Sequence, residues 1–223
     1  MKIVFFGTPA FVLPVLEKLQ ENFEVVGVVT TKSQQGEVLR RHVGGRLMCL
    51  TPEKLDQEFV NELQTLNPEL FIVASYGKII PQSVLDIPKF GSLNIHPSLL
   101  PKYRGPSPIQ TAILNGDKIS GVTILVVDNQ MDHGPVVATK EISLSNTDTF
   151  DSLSKKMFLI GAELLVKIIP DFARPERSRR VAGKIKLQDQ DHEKATFTKM
   201  FTKEDGYFDI DNPPSPEKLD RMI

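Results

Sequence analysis

Along the first hundred residues, short apolar runs alternate with segments whose apolar residues recur at helical spacing. "KIVFF" (2–6) is an apolar run followed by "GTP", the signature of a strand ending in a turn. "AFVLPVLEKLQ" (10–20) carries apolar residues three and four apart, with Pro14 compatible only with a first helical turn. "FEVVGVVTT" (23–31) predicts a second buried strand, "PEKLDQEFVNELQTL" (52–66) a helix, and "PELFIVASYG" (68–77) a third strand. "GSLNI" (91–95) predicts a fourth strand after a shorter connection, and "PIQTAILNGD" (108–117) a helix ending at Asn115-Gly116. "GVTILVVD" (121–128) and "PVVATKEISL" (135–144) predict two strands flanking "NQMDHG", with a turn signal at His133-Gly134. "DTFDSLSKKMFLIGAELLVKIIPDF" (148–172) predicts a long amphipathic helix capped by Asp148 or Thr147. Strands alternating with helices imply an α/β fold: a mostly parallel twisted sheet covered by helices on both faces, with an antiparallel addition after Gly121.

Two regions break this pattern. Lys32 to Leu47 has weak periodicity and four basic residues (Lys32, Arg40, Arg41, Arg46) against one acid (Glu37), and reads as a loop. "ARPERSRRVAGK" (173–184) is Arg-rich, and from Arg174 to Lys203 nine Lys/Arg stand against four Asp/Glu, a local charge of +5. A charge run of this kind is most often a solvated face, although it could also meet nucleic-acid backbone. "PPSPEKLDRMI" (213–223) reads as the start of a helix.

Composition changes this picture little. The 223 residues, 40% of them hydrophobic, suit one full-sized domain or one domain with a short appendage. The net charge of −1 gives no global case for a nucleic-acid or acidic ligand. Cys49 is the only cysteine, which rules out an intrachain disulfide and suits a reducing cytoplasm. The N-terminus has too short an apolar run for a signal peptide, and no run approaches the ~20 residues of a membrane span, so no membrane association is expected.

The candidate chemistry lies in "GSLNIHPSLLPKYRG" (91–105). Asn94 and His96 are two apart on a strand and share a face, while Pro97 ends regular pairing. They sit at the carboxyl end of their strand, the edge where open α/β sheets bind ligands. Asn offers neutral amide donors and His an acid/base group near pH 7, so together they resemble an oxyanion site beside a proton carrier. "VVDNQMDHG" supplies two candidate carboxylates, Asp128 and Asp132. The plainer reading is a polar strand end with a solvated histidine. Other chemistries find no pattern. "FGTPAF" is not a dinucleotide fingerprint, and no phosphate-binding loop exists. Ser98 does not sit in a nucleophile elbow, and none of the four His stands at metal-ligand spacing with another His or a Cys, so no metal is expected.

"FGTPAFVLPVLEKL", "ASYGKIIP", "GSLNIHPSLLPKYRGPSPIQTAILNGD", "GVTILVVDNQMDHGPVV" and "KATFTKMFTKEDGYFDID" together resemble the methionyl-tRNA formyltransferase family of folate-dependent formyltransferases. The resemblance runs the length of the chain with two gaps. It implies a Rossmann-like formyltransferase fold and 10-formyltetrahydrofolate as formyl donor, with methionyl-tRNA as acceptor. It implies a catalytic trio of Asn94, His96 and Asp132, thereby choosing Asp132 over Asp128. The amine of the aminoacyl group would attack the formyl carbonyl, with Asn94 and protonated His96 stabilising the oxyanion. Either Asp132 or a water would relay the proton.

Folate contacts are implied at Ser75, Tyr76, Gly77, Ile79, Ile80, Val127, Asp128, Asn129 and Met131, and at Ser98 and Leu99. Acceptor contacts are implied at Ser98, Leu99, Leu100 and Pro101, with Arg40 and Arg41 near tRNA phosphates. The chain departs from the family in its 32–47 loop and in the Arg-rich stretch, which looks inserted. The expected organisation is a catalytic domain over 1–172, a basic insertion and linker over 173–211, and over 212–223 the start of a further domain that is otherwise missing. A small-amine formyltransferase, acting on an amino-sugar nucleotide or glycinamide ribonucleotide, and a folate-binding remnant are the alternatives. The linker-like "TFTKMFTKEDG" speaks against the former. Oligomeric state is not readable, and a monomer is the default.

Overall fold

A computed structural model describes residues 1–173 and 185–222. The Arg-rich stretch read from the sequence lies almost wholly outside the described residues. Among these residues the strands are β1 (Lys2–Gly7), β2 (Glu24–Val29), β3 (Met48–Leu50), β4 (Leu70–Ala74), β5 (Ser92–His96), β6 (Ile119–Val126) and β7 (Val136–Ser143). They form one sheet in the order β3-β2-β1-β4-β5-β6-β7. β1 to β5 are parallel, and β6 and β7 continue the sheet antiparallel. Every residue of β4 is buried, as a central strand covered on both faces requires.

The helices divide between the two faces. α1 (Leu13–Asn22), α2 (Gln34–Val43), α5 (Pro108–Leu114) and α6 (Phe150–Phe172) pack with Ile3, Phe5, Ile72, Leu93 and Ile95 in one core. α3 (Gln57–Thr65) and α4 (Gln82–Leu85) pack with Val4, Phe6, Phe71, Val73 and Tyr76 in the other. A last helix, α7 (Pro216–Met222), follows the linker. The α/β class and the two-faced sheet are as the pattern predicts. Among the described residues no helix is long and apolar enough to cross a membrane.

Two local expectations are corrected. The segment 32–47, read as a loop, holds α2. Ser33 Oγ accepts the Gly36 amide, Leu39 and Val43 are buried four apart, and Gly44 closes the helix at φ 52°. That left-handed C-terminus is available to glycine at little steric cost. One buried pair gives too weak a period to stand out among charged neighbours. The cap of α6 is Thr149, neither Asp148 nor Thr147: Thr149 Oγ1 accepts the Ser152 amide at 3.2 Å and Ser152 Oγ accepts the Thr149 amide at 3.0 Å. This reciprocal box satisfies two otherwise free backbone donors.

Candidate active site

Asn94 and His96 lie on the face of β5 opposite Leu93 and Ile95, which belong to the core under α6. Regular pairing stops at His96, and the chain enters the loop 97–107. That loop is tied down internally. Ser98 Oγ donates to the Lys102 carbonyl at 2.6 Å, and Thr123 Oγ1 on β6 donates to the Ser98 carbonyl at 2.7 Å. Ser98 is fully buried, so its hydroxyl is committed to shaping the loop. Leu99 packs over Gly121, where a Cβ would meet its side chain at 2.4 Å.

The β6–β7 connection leaves the sheet beside Ser92, whose carbonyl accepts the Val127 amide at 2.9 Å. It then folds back along β5 and delivers Asp132 to the pair. Asp132 Oδ1 accepts Asn94 Nδ2 at 3.2 Å and lies 3.3 Å from His96 Nδ1, while Oδ2 accepts the Gly105 amide at 2.8 Å. One carboxylate therefore gathers β5, the loop after it and the β6–β7 turn. Asp132 itself has φ 52°, left-handed backbone that is uncommon for residues other than glycine and that aspartate tolerates better than most.

The charge balance follows from the contacts. Burial alone pushes the Asp132 carboxyl up. The charge and hydrogen bond of His96, the Gly105 amide and the nearby Arg104 outweigh it and hold the carboxyl below its usual value. The side chain of His96 is only 4% exposed. Its Nε2 lies 2.8 Å from the Tyr103 carbonyl. A carbonyl only accepts, so Nε2 carries a proton and donates. Both ring nitrogens are thus engaged, and the donor left free in the trio is the second Nδ2–H of Asn94. Asp128 is employed elsewhere: Oδ2 accepts His133 Nδ1 at 2.7 Å and Oδ1 the Gln130 amide at 2.9 Å.

The other sequence candidates divide. Ser75, Gly77 and Ile79 are exposed at the carboxyl end of β4, with Ser75 at φ 49° and Gly77 at φ 82°. Asn129 and Met131 are exposed on the β6–β7 loop, where Val127 and Asp128 are partly covered. Tyr76 and Ile80 are instead core residues: the Tyr76 ring packs edge-on to Phe6 at 5.3 Å, and its carbonyl accepts Thr8 Oγ1 at 2.8 Å. Burial pushes the Tyr76 phenol up to about 12. Leu100 and Pro101 are half-buried in the loop after β5. Arg40 is bound to the Thr31 and Ser33 carbonyls, stapling α2 to the stretch that follows β2, whereas Arg41 is exposed and pairs with Glu37 along the helix.

Sequence reasoning missed Arg104, Gln190 and His192. Arg104 and Gln190 are buried, and both are wired to the Asp132 turn. Arg104 stands in the quoted "KYRG", but nothing in the spacing of "QDQDHEK" marks two of its residues as partners of that loop.

Comparison with known proteins bears on this arrangement. The family profile described as formyl transferase matches residues 1–169. A methionyl-tRNA formyltransferase of Roseiflexus sp. (strain RS-1) is 42% identical over 234 residues, spanning 100% of this chain and 69% of that protein. Another, from Chloroflexus aurantiacus (strain J-10-fl), is 42% identical over 224 residues, spanning 96% of this chain and 70% of that protein. The chain belongs to the methionyl-tRNA formyltransferase family. Its fold is shared by the crystal structure of WlaRD, a sugar 3N-formyl transferase in the presence of dTDP and 5-N-formyl-THF. That match has a TM-score of 0.70 and 21% identity, and covers 100% of this chain and 78% of that one.

Proposed function

We propose that this chain transfers a formyl group from 10-formyltetrahydrofolate to the α-amino group of methionyl-tRNA, using Asn94, His96 and Asp132. The observation that carries the assignment of the site is the Asp132 carboxylate, which binds Asn94, His96 and the Gly105 amide at once. The acceptor and the reaction rest on the two 42% identical relatives named methionyl-tRNA formyltransferase.

The residues around the trio fit a folate. Ile79 and Met131 are exposed apolar side chains on two loops, suited to the faces of a flat ring. Ser75, Gly77 and Asn129 are exposed beside them, with polar backbone to meet a ring edge. When bound, the folate supplies an activated formyl carbon and a nitrogen leaving group. Asn94 aims its free amide hydrogen at the oxygen on which charge develops. His96 is held in place from both sides and contributes positive charge beside that oxygen. Asp132 orients both residues. A carboxyl held below its usual range is a weak proton acceptor, so a water carries the proton of the attacking amine to the folate nitrogen as its bond to the formyl carbon breaks, and Asp132 remains the anionic anchor. Ser98, Leu99, Leu100 and Pro101 shape the wall behind the site, and Arg41 is an exposed cation for the acceptor's phosphates. The division into a catalytic domain over 1–172, a linker to 211 and a further element beyond it is kept as part of this proposal, with the linker bonded to the catalytic domain through residues 188–198, and the single cysteine accords with work in a reducing cytoplasm.

The test is folate release from 10-formyltetrahydrofolate with methionyl-tRNA, an amino-sugar nucleotide or glycinamide ribonucleotide as acceptor. Release only with methionyl-tRNA is expected, and release with a small amine instead would assign the chain a different acceptor. Asn94→Ala and His96→Ala are each expected to lower turnover by roughly 10²–10³ with folding intact, the typical cost of one oxyanion-site group. Near-normal turnover in either variant would remove that residue from the mechanism.

A further inference from the structure

Residues 188–192 are bonded into the turn that carries Asp132. Gln190 is 7% exposed. Its Nε2 donates to the Asp132 carbonyl at 2.9 Å and to the Gly134 carbonyl at 2.8 Å. Its Oε1 accepts Arg104 Nε at 3.1 Å and Nη2 at 2.6 Å. A glutamine amide has two donor hydrogens and two acceptor lone pairs, and here all four are used. Arg104, 4% exposed, also donates from Nη2 to His192 Nδ1 at 2.8 Å. The His192 ring stacks on His133 at 4.1 Å and 3°, and His133 in turn binds Asp128. The backbone is pinned alongside: Val136 and Gln188 exchange amide bonds of 2.8 and 2.9 Å.

The side chain of Gln190 thus holds two carbonyls, one on Asp132 and one two residues later, across a turn whose Asp132 has left-handed backbone. Backbone of that kind is less favourable than the ordinary regions, though aspartate tolerates it better than most residues, and the two bonds from Gln190 help to fix it. Relaxation would move the carboxylate away from Asn94 and His96, which it meets at only 3.2 and 3.3 Å. Arg104 is the second part of the brace. It fixes the oxygen end of the amide and so decides that the nitrogen end faces the turn.

We propose that Gln190 is a positioning residue for formyl transfer: through its two amide hydrogens it fixes the backbone of Asp132 and thereby the geometry of the trio. The inference rests on the catalytic role given to Asp132 above. It adds that the trio depends on a residue beyond the 1–169 region matched by the family profile, so this part of the linker completes the catalytic centre.

A purely structural role, docking the segment through Arg104, is the rival to exclude, and Gln190→Glu separates the two. A carboxylate still accepts both Arg104 hydrogens, now with charge assistance. Its other oxygen faces the Asp132 and Gly134 carbonyls, acceptor against acceptor. Docking is kept while the brace is broken. Expected for Gln190→Glu is a fall in kcat on the order of 10²-fold, the effect of a displacement near 1 Å. KM for the formyl donor and the melting temperature should stay near wild type. Gln190→Met, which loses both ends of the amide, should lower kcat similarly and lower the melting temperature as well. Asp132→Asn is measured in parallel. Wild-type kcat in Asp132→Asn would show that the reading of the site has failed. A disabled Asp132→Asn beside a Gln190→Glu with wild-type kcat would overturn the inference alone. A Gln190→Glu that loses melting temperature as Gln190→Met does, with kcat kept in the folded fraction, would assign Gln190 to docking. Should Gln190→Glu not fold, kcat per folded molecule of Gln190→Met decides, and a wild-type value overturns the proposal.

Discussion

At the scale of single residues, the site depends on which of two carboxylates meets the histidine. Asp128 and Asp132 were equivalent in "VVDNQMDHG", because alternation and spacing do not say which way a turn folds. The resemblance chose Asp132, and the structure brings Asp132 to Asn94 and His96 while Asp128 binds His133. Asp132→Asn keeps the shape but removes the charge that faces His96, whereas Asp128→Asn leaves the trio's contacts intact. Turnover is expected to fall about 10²-fold or more in the first, on the scale of losing a preorganised charged group. It should change little in the second, and equal rates would show that the carboxylates had been assigned the wrong way round. Stability carries the same signature. The folded-state pKa of Asp132 is depressed, so its contribution is full above the unfolded value of 3.8 and is lost progressively as pH falls from there through the lower folded-state value. In urea unfolding near pH 5, wild type should be more stable than Asp132→Asn. The margin should close below 3.8.

At the scale of elements, the sequence was informative wherever burial imposed a period and uninformative wherever a few polar contacts decided the outcome. β1, β2 and β4 are covered on both faces, so their apolar runs stood out. The placement of Asn94 and His96 side by side was equally legible, because strand geometry fixes it once the strand is recognised. α2 was not, since its stability comes from a serine cap, two buried residues and the Arg40 staple onto the stretch that follows β2. β3 is three residues long and carries no pattern. The cap of α6 is read one or two residues early, at Asp148 or Thr147, because "NTDTF" offers several capping groups and only the backbone angles select Thr149. Thr149→Ala should therefore destabilise the protein by about 1 kcal/mol in urea unfolding, the usual cost of losing an N-cap. Thr147→Ala, whose hydroxyl meets only Ser145 Oγ on the surface, should be near neutral. The reverse order would restore the cap first read from the sequence. Turnover should be unchanged in both, since neither hydroxyl bonds to Asn94, His96 or Asp132.

At the scale of the whole molecule, residues 188–198 are bonded onto the catalytic body. They form a second wall along the loop after β5: the Thr196 amide donates to the Pro101 carbonyl at 3.2 Å, Arg104 to the Thr196 carbonyl at 2.8 Å, and Thr198 to the Arg104 carbonyl at 2.7 Å. The hydroxyls of Thr196 and Thr198 accept the Tyr103 and Ser107 amides. Composition could not reveal this, because the contacts are almost all backbone and hydroxyl, and a polar segment at an interface looks like a polar segment in solvent. Gly105 is where the two layers come closest. It sits at φ 107°, its amide holds Asp132, and a Cβ there would lie 2.8 Å from the Thr198 carbonyl. Gly105→Ala therefore meets both backbone strain and a clash with main chain that cannot swing aside, unlike a side-chain tip. The expected result is undocking of residues 195–198 together with loosening of the loop, in a sheet that stays folded. Hydrogen exchange reads this directly. The amides of Arg104 and Thr198 should lose protection together in Gly105→Ala, while those of β1, β2 and β4 keep theirs. Turnover should fall with them, because the Gly105 amide is one of the bonds that fix the Asp132 carboxylate. If Thr198 lost protection while turnover stayed at the wild-type value, the contacts of residues 195–198 would be an ornament on the catalytic body.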